Sequence, residues 1–444
     1  MRILHTSDLH IGRTLYGRKR YEEFDAFLQW LANTIQEESV EVLIIAGDVF
    51  DTSTPSNRAQ ELYYQFLCRI ASSACQHVIV VAGNHDSPSF LEAPRELLKA
   101  LNVHVVGEAS ENPSDHVIVL RNSNDTPNLI VCAVPYLRDR DLRVAEAGES
   151  IADKQRKIVE GIARTYANVT AAAQQKCAEF NCSIPIVATG HLFTAGGFTA
   201  DGDGVRDLYV GSLAHVTASI FSESLSYVAL GHLHVAQMVN GIQTIRYSGS
   251  PLPMGFGEAT QQKSVCVVEI CSPTAGLSNS TTSYCDSSES HSASKASFFP
   301  STPNNFCPTT SVRTLNVPLF QELVSVRGNW EIIATKLHEL VQINSSAWVE
   351  IVYDGAEIVG DLSERVSSAT KNSSVTVLRI LNTRVITNIL QRSNEYETLD
   401  SIEPRDVFER CLNQSKVPNE QRPELRLAYQ EVISSLQQCD SNAE

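Results

Sequence analysis

The chain has no surplus of positive charge: 35 Lys and Arg stand against 51 Asp and Glu, a formal net charge of −16 over 444 residues. That excludes a protein whose whole surface holds a polyanion by phosphate neutralisation, so any grip on nucleic acid must be local or supplied by a partner. No apolar run approaches the ~18 residues of a membrane span, and Met1 leads into a strand with no signal pattern, so a cytoplasmic protein is expected. The eleven cysteines include no C-x-x-C pair and no regular spacing. They read as free thiols, mostly small core residues, and carry no metal or redox chemistry. A G-x-x-x-x-G-K-[ST] loop is also missing, so ATP would have to act through another chain. The length calls for two or three domains, and 43% hydrophobic residues is ample for their cores.

What is present is a repeated strand ending. After the apolar opening "MRIL", the stretch "HTSDLHIGR" at 5–13 delivers Asp8 and His10. Four more runs end in the same way: "VLIIAGDVFD" at 42–51, "VIVVAGNHDS" at 78–87, "IVATGHLF" at 186–193 and "YVALGHLH" at 227–234. Rich in Val, Ile and Ala and without alternation, each reads as a strand covered on both faces. In such sheets ligands gather where the strands end. The side chains delivered there are Asp8, His10, Asp48, Asn84, His85, His191, His232 and His234. A single histidine in this setting is ordinarily a hydrogen-bonded core or loop residue; five glycine- or aspartate-flanked repeats are not explained that way. The donors are oxygen and nitrogen without thiolate, suited to manganese, magnesium, iron or zinc. They are too many for one ion, whereas two ions about 3.5–4 Å apart, sharing a carboxylate, would use them all and suit in-line displacement at phosphorus.

The ordered series D-x-H, GD-x-x-D, GNHD, GH and GHLH resembles the calcineurin-like metallophosphoesterase superfamily. Within it, "MRILHTSDLHIGRTLYG", "VRDLYVGSL" at 205–213 and "IRYSGSPLPMGFGE" at 245–258 are similar to the SbcD family, the nuclease subunits of bacterial SbcCD-type exonucleases. Its wider relatives are the double-strand-break repair nucleases that partner an SMC-like ATPase. The resemblance is strong over residues 1–271 and in outline beyond. It implies an α/β fold, a four-layer sandwich of two mixed β-sheets flanked by helices, with a small α+β capping domain and a helical C-terminal tail. It implies one ion on Asp8, His10, Asp48 and His234 and a second on Asp48, Asn84, His191 and His232, with Asp48 bridging and Mn2+ the expected metal. His85 would face the scissile phosphate without binding metal, with Asp86 orienting its ring and raising its pKa, and Asp51 would stand behind the ligands. The implied activity is that of a two-metal double-strand exonuclease and single-strand or hairpin endonuclease, in which a hydroxide between the ions attacks in line. A small-molecule or cyclic-nucleotide phosphodiesterase, or a protein phosphatase, would use the same donors.

The rest of the chain divides by composition. Residues 1–271 carry the motifs, and 272–311, dominated by Ser, Thr, Asn and Pro, read as a linker or insertion that cannot bury enough apolar surface to order itself. Strands at 320–328, 347–355 and 374–381 alternate with helices at 329–343 and 361–370, an α+β module assigned to 312–385. From 386 to 444 the pattern is helical, and Leu425, Tyr429, Val432, Ile433 and Leu436 form one apolar stripe. By resemblance this tail docks on an SbcC-like ATPase, within a heterotetramer built on a homodimer, whose DNA substrates are double-stranded ends and hairpins. Arg13, Arg18, Lys19 and Arg20 follow the first motif as candidate DNA contacts, and Arg138, Arg140 and Arg143 form a second basic cluster.

Overall fold

The computed structural model describes residues 1–144, 146, 149–180, 183–194, 216–271, 309–357 and 359–383, with Phe408, Leu412 and Arg422 as single residues. The stretch 205–213, most of the linker and the apolar stripe of the tail lie outside the described residues.

Two mixed sheets carry the first unit, residues 1–325 with 346–349. The first has the order Thr309–Asn316, Ser264–Cys271, Arg2–Thr6, Val42–Ala46, His77–Val81, Val103–Val106. From Arg2–Thr6 to Val103–Val106 its strands are parallel, and the helices Tyr21–Glu37 and Asn57–Ala71 make two of the crossovers that parallel pairing requires. The second helix starts where Ser56 accepts the Ala59 N–H at 3.3 Å, which satisfies one donor of the open first turn. The second sheet has the order Gln237–Val239, Ile242–Tyr247, Tyr227–Gly231, Ile186–His191, Pro127–Cys132, Val117–Arg121. Its four middle strands are parallel and its edges antiparallel.

Alternate residues of each strand serve different cores, which is why the sequence shows apolar runs without alternation. Leu4, Leu43, Ile45 and Val80 pack outward on Phe24, Phe27, Leu31 and Phe66 of the crossover helices. Ile3, Ile44 and Val81 pack inward on Val131, Val187 and Ala229 of the second sheet. On its far face, Ile130, Ala188 and Leu230 are covered by Ile158, Ile162 and Tyr166 of the long helix Ile151–Glu179. At about 1.5–3 kcal/mol for each fully buried branched or aromatic side chain, this helix–sheet–sheet–helix stack fixes where the strand ends lie. The four-layer sandwich read from the resemblance is what the chain forms.

One boundary needs correction. The strand Thr309–Asn316 pairs along its whole length with Ser264–Cys271, with Val268 opposite Val312. Residues 309–311, grouped with the linker, and 312–316, grouped with the capping module, therefore belong to the first sheet. The reason is edge pairing: Ser264–Cys271 would otherwise present unpaired backbone groups.

The second unit takes in 326–345 and the described residues from 350, and it holds the helices Trp330–Gln342 and Leu362–Ala369. They accompany a three-stranded sheet in the order Leu323–Gly328, Trp348–Tyr353, Thr376–Asn382. The alternation expected at 320–381 is thus the one observed. Asn329 caps the first helix by accepting the Ile332 N–H at 3.0 Å. No helix among the described residues is long and apolar enough to cross a membrane.

Candidate metal centre

All five motif strands end at the seam between the two sheets. Asp8, His10, Asp48 and Asn84 come from the first sheet, and His191, His232 and His234 from the second. The chain turns sharply to bring them in: Asp8, His10, Asp48 and His232 have φ of 53°, 46°, 49° and 95°. Left-handed backbone on non-glycine residues is costly and is held only where surrounding structure demands it. The glycines before the ligands have a steric reason. A Cβ on Gly231 would lie 1.9 Å from the Ala46 carbonyl oxygen, and one on Gly47, at φ +91°, would lie 2.1 Å from His191 Nδ1. The two sheets meet too closely there for any side chain.

The donors form one connected knot. Asp48 Oδ2 lies 3.5 Å from His10 Nε2 and 3.3 Å from His191 Nε2. Asn84 Oδ1 is 3.0 Å from His191 Nε2 and 3.2 Å from His232 Nδ1. His10 Nε2 and His234 Nε2 face each other at 3.2 Å. Asp8 accepts the His232 backbone N–H at 2.9 Å and the Ser7 hydroxyl, which also meets Ser248 at 2.8 Å. Asp8 also groups closely with His10 and His234, and with Asp48 and His191. Apart from half-buried Asn84, each of these side chains is buried.

Outer partners orient the rings. His10 Nδ1 is 3.2 Å from Asp51 Oδ1, His234 Nδ1 is 3.4 Å from Glu258 Oε1, and His191 Nδ1 is 3.0 Å from the Ala46 carbonyl. These outer partners leave each Nε2 turned inward, toward the knot. The inward Nε2 atoms of His10 and His234 converge, and His191 Nε2 faces Asn84 Oδ1 and Asp48 Oδ2. Buried imidazole and carboxylate donors gathered in two groups, Asp8 with His10 and His234 and Asp8 with Asp48 and His191, fit divalent metal ions.

Within the knot, Asp48 and His191 hold each other in their charged forms. Burial opposes ionisation of Asp48, yet His191 and His10 hold its carboxyl well below the usual range. Burial opposes the imidazolium of His191, but Asp48 outweighs it and raises the ring to about 9. Burial, then the positive neighbour His191, pushes His232 well down, and burial lowers His10. Burial alone would push Glu258 up; His234 and Lys263 bring it to about 2.

Several sequence expectations are corrected by position. Asp86 does not touch the His85 ring: its carboxylate accepts the N–H groups of Gly83, Val49 and Phe50 at 2.9, 3.1 and 3.0 Å and ties two ligand loops together. Burial and the neighbouring Asp48 raise it to about 6. His85 is oriented instead by the Asp51 backbone carbonyl, 2.8 Å from its Nδ1, while its own N–H holds Asp48 Oδ1 at 2.8 Å. Arg20 is not on the surface where a DNA contact was expected. It is buried, donating twice to Glu23 at 3.0 and 2.8 Å and once to the Pro253 carbonyl at 2.8 Å. Arg13 lies 3.2 Å from Asp51, and Arg18 and Lys19 are exposed on a short hairpin with Thr14–Leu15. In the second basic cluster, Arg143 is paired with Asp139 and Glu149, and Arg138 and Arg140 lie near Glu108, so acids neutralise it. Sequence reasoning misses Glu258 and Lys263, although Glu258 closes the quoted stretch at 245–258.

Two family descriptions and several known proteins match the chain. Residues 1–154 match the family described as calcineurin-like phosphoesterase, and residues 319–416 match the type 5 capsule protein repressor C-terminal domain. The chain is 32% identical over 438 residues to the SbcD component of the nuclease SbcCD of Escherichia coli strain K12, covering 98% of each chain. The SbcD protein of Rhodobacter capsulatus is 36% identical over 283 residues, 61% of this chain and 66% of that one. Its Bacillus subtilis namesake is 33% identical over 272 residues, again 61% and 66%.

Proposed function

This chain belongs to the SbcD family of metal-dependent nucleases, and we propose that it is the DNA-cleaving component of an SbcC–SbcD-type complex with the donor knot as its active site. In this reading Asp8, His10, Asp48 and His234 hold one ion, and Asp48, Asn84, His191 and His232 the other, with Mn2+ preferred. The observation that carries it is the convergence of seven buried or half-buried imidazole, carboxylate and amide donors in one site built from both sheets. Two divalent ions bound there supply Lewis acidity and water activation toward a phosphodiester.

The protein's own groups do the rest. Asp48 offers Oδ2 to both histidine groups because the His85 N–H holds Oδ1. With Nδ1 committed to the Asp51 carbonyl, His85 presents Nε2 to the substrate, where it either gives a proton to the departing sugar oxygen or steadies its charge. Asp86 keeps the loops of Asp48 and His85 in register. Exposed Arg18 and Lys19 contact DNA phosphates, while the net charge of −16 leaves most of the grip on duplex to a partner, an SMC-like ATPase that also supplies nucleotide binding. Double-strand exonuclease and hairpin or single-strand endonuclease action, a homodimer within a heterotetramer, and a cytoplasmic site of action belong to the same proposal.

The test is cleavage of 5′- and 3′-labelled linear duplex and hairpin DNA by chelator-treated protein, re-supplied with each divalent ion in turn. Cyclic nucleotide and phosphoserine peptide serve as rival substrates. Metal-restored DNA cleavage, greatest with Mn2+, is expected; hydrolysis of a rival substrate with DNA left intact overturns the assignment.

A further inference from the structure

We propose that Glu258, anchored by Lys263, is a positioning residue for His234 that sets the affinity of one of the two ion positions and leaves the other untouched. The inference rests on the two-ion reading above and concerns residues to which that reading gives no role.

Glu258 is fully buried at the end of the turn Phe256–Glu258. Its two oxygens do different things. Oε2 takes the Lys263 ammonium, the Met254 N–H at 3.1 Å and the Ser250 hydroxyl at 3.4 Å. Oε1 is turned to the His234 ring, 3.4 Å from its Nδ1. Lys263 is buried too, and it donates to the His234 carbonyl at 3.1 Å, so the pair grips that residue by backbone and ring together. A buried ion pair is a poor way to stabilise a fold, since apolar residues of like volume do as well or better. It is a good way to fix an imidazole tautomer and raise the basicity of the opposite nitrogen.

The two ion positions differ in this respect. His10 and His234, assigned to the same ion, are both backed by carboxylates that are themselves paired with a cation, Asp51 with Arg13 and Glu258 with Lys263. His191, assigned to the other ion, is backed by a neutral carbonyl, that of Ala46. Loss of one backing carboxylate should therefore be felt at one ion alone.

Mn2+ titration of the full chain by calorimetry, with free Mn2+ followed by electron paramagnetic resonance, tests this without reading activity. Glu258→Gln should weaken one of two Mn2+ steps by roughly 10–100-fold and leave the second as in wild type. Asp51→Asn should weaken the same step, and His191→Ala the other. Should Glu258→Gln fold poorly because the Lys263 ammonium loses its carboxylate, the double variant Glu258→Gln/Lys263→Met removes both charges and should show the same one-step loss. Two wild-type steps in the glutamine variants, or equal weakening of both, overturns the proposal. A wild-type protein that takes up a single Mn2+ overturns the two-ion reading itself, a failure visible before any variant is made.

Discussion

Asp48, which follows a strand of the first sheet, places Oδ2 3.3 Å from Nε2 of His191, which closes a strand of the second. The same oxygen lies 3.5 Å from His10 Nε2, so one carboxylate joins both halves of the centre. Asp48→Ala should remove both ions and abolish hydrolysis, with metal content and DNA cleavage as the measurements. Two retained ions at the wild-type rate would show that Asp48 does not bridge.

His85 meets His10 edge to face, with ring centroids 4.8 Å apart, but is oriented from outside the knot. His85→Ala should keep both ions and lose roughly two to four orders of magnitude in rate, the usual worth of a positioned acid. Metal analysis decides the matter: loss of an ion in this variant would make His85 a ligand.

The basic residues after the first motif should separate into two behaviours. Arg18→Ala and Lys19→Ala should weaken binding of short duplexes across all sequences, each reducing the slope of log affinity against log salt by about one. Melting temperature should stay put. Arg20→Ala strands buried Glu23 and should cost about 3–5 kcal/mol of folding stability, seen as a large drop in denaturation midpoint with any binding loss secondary to it. Normal stability in the Arg20 variant would contradict that buried pairing.

A pH effect should come from the sandwich core. His5 lies between the sheets, sharing a 2.9 Å hydrogen bond with Tyr227, and burial lowers its pKa from 6.5 to about 3. Because the folded value is depressed, the unfolded chain takes up the proton first. The stability tied to neutral His5 is thus fully present above pH 6.5 and is lost as pH falls from there toward 3. The loss should be on the order of a few kcal/mol. Urea unfolding at stepped pH should show a shallower acid slope for His5→Gln than for wild type, whatever the absolute stabilities; identical slopes would mean that His5 is not the group responsible.

Much of the centre is legible in the sequence because its chemistry is local. A covered strand ending in Gly and then Asp, Asn or His announces itself within a few residues, and each of the seven expected ligands lies in the knot. The α+β alternation between 320 and 381 is legible for the same reason, since period and turn signals need no distant partner. The role of Asp86 is not, because adjacency in sequence says little about contact after a tight turn. Its carboxylate reaches back to the loop at 49–50 while the His85 ring turns to Asp51.

By itself, then, the sequence determined which donor atoms exist, that they sit at the ends of buried strands, and that those donors are oxygen and nitrogen without thiolate. Tertiary structure alone decided which donors face one another across two sheets, since no spacing along the chain encodes an inter-sheet distance. It alone turned Arg20 inward, because the site that receives it is made by Glu23 and Pro253, far apart in the chain. It returned Thr309–Asn316 to the first sheet, where an open edge awaited a strand. And it set Glu258 behind His234, a pairing that exists only because the turn after the second sheet folds back beneath the strand end that carries the ligand.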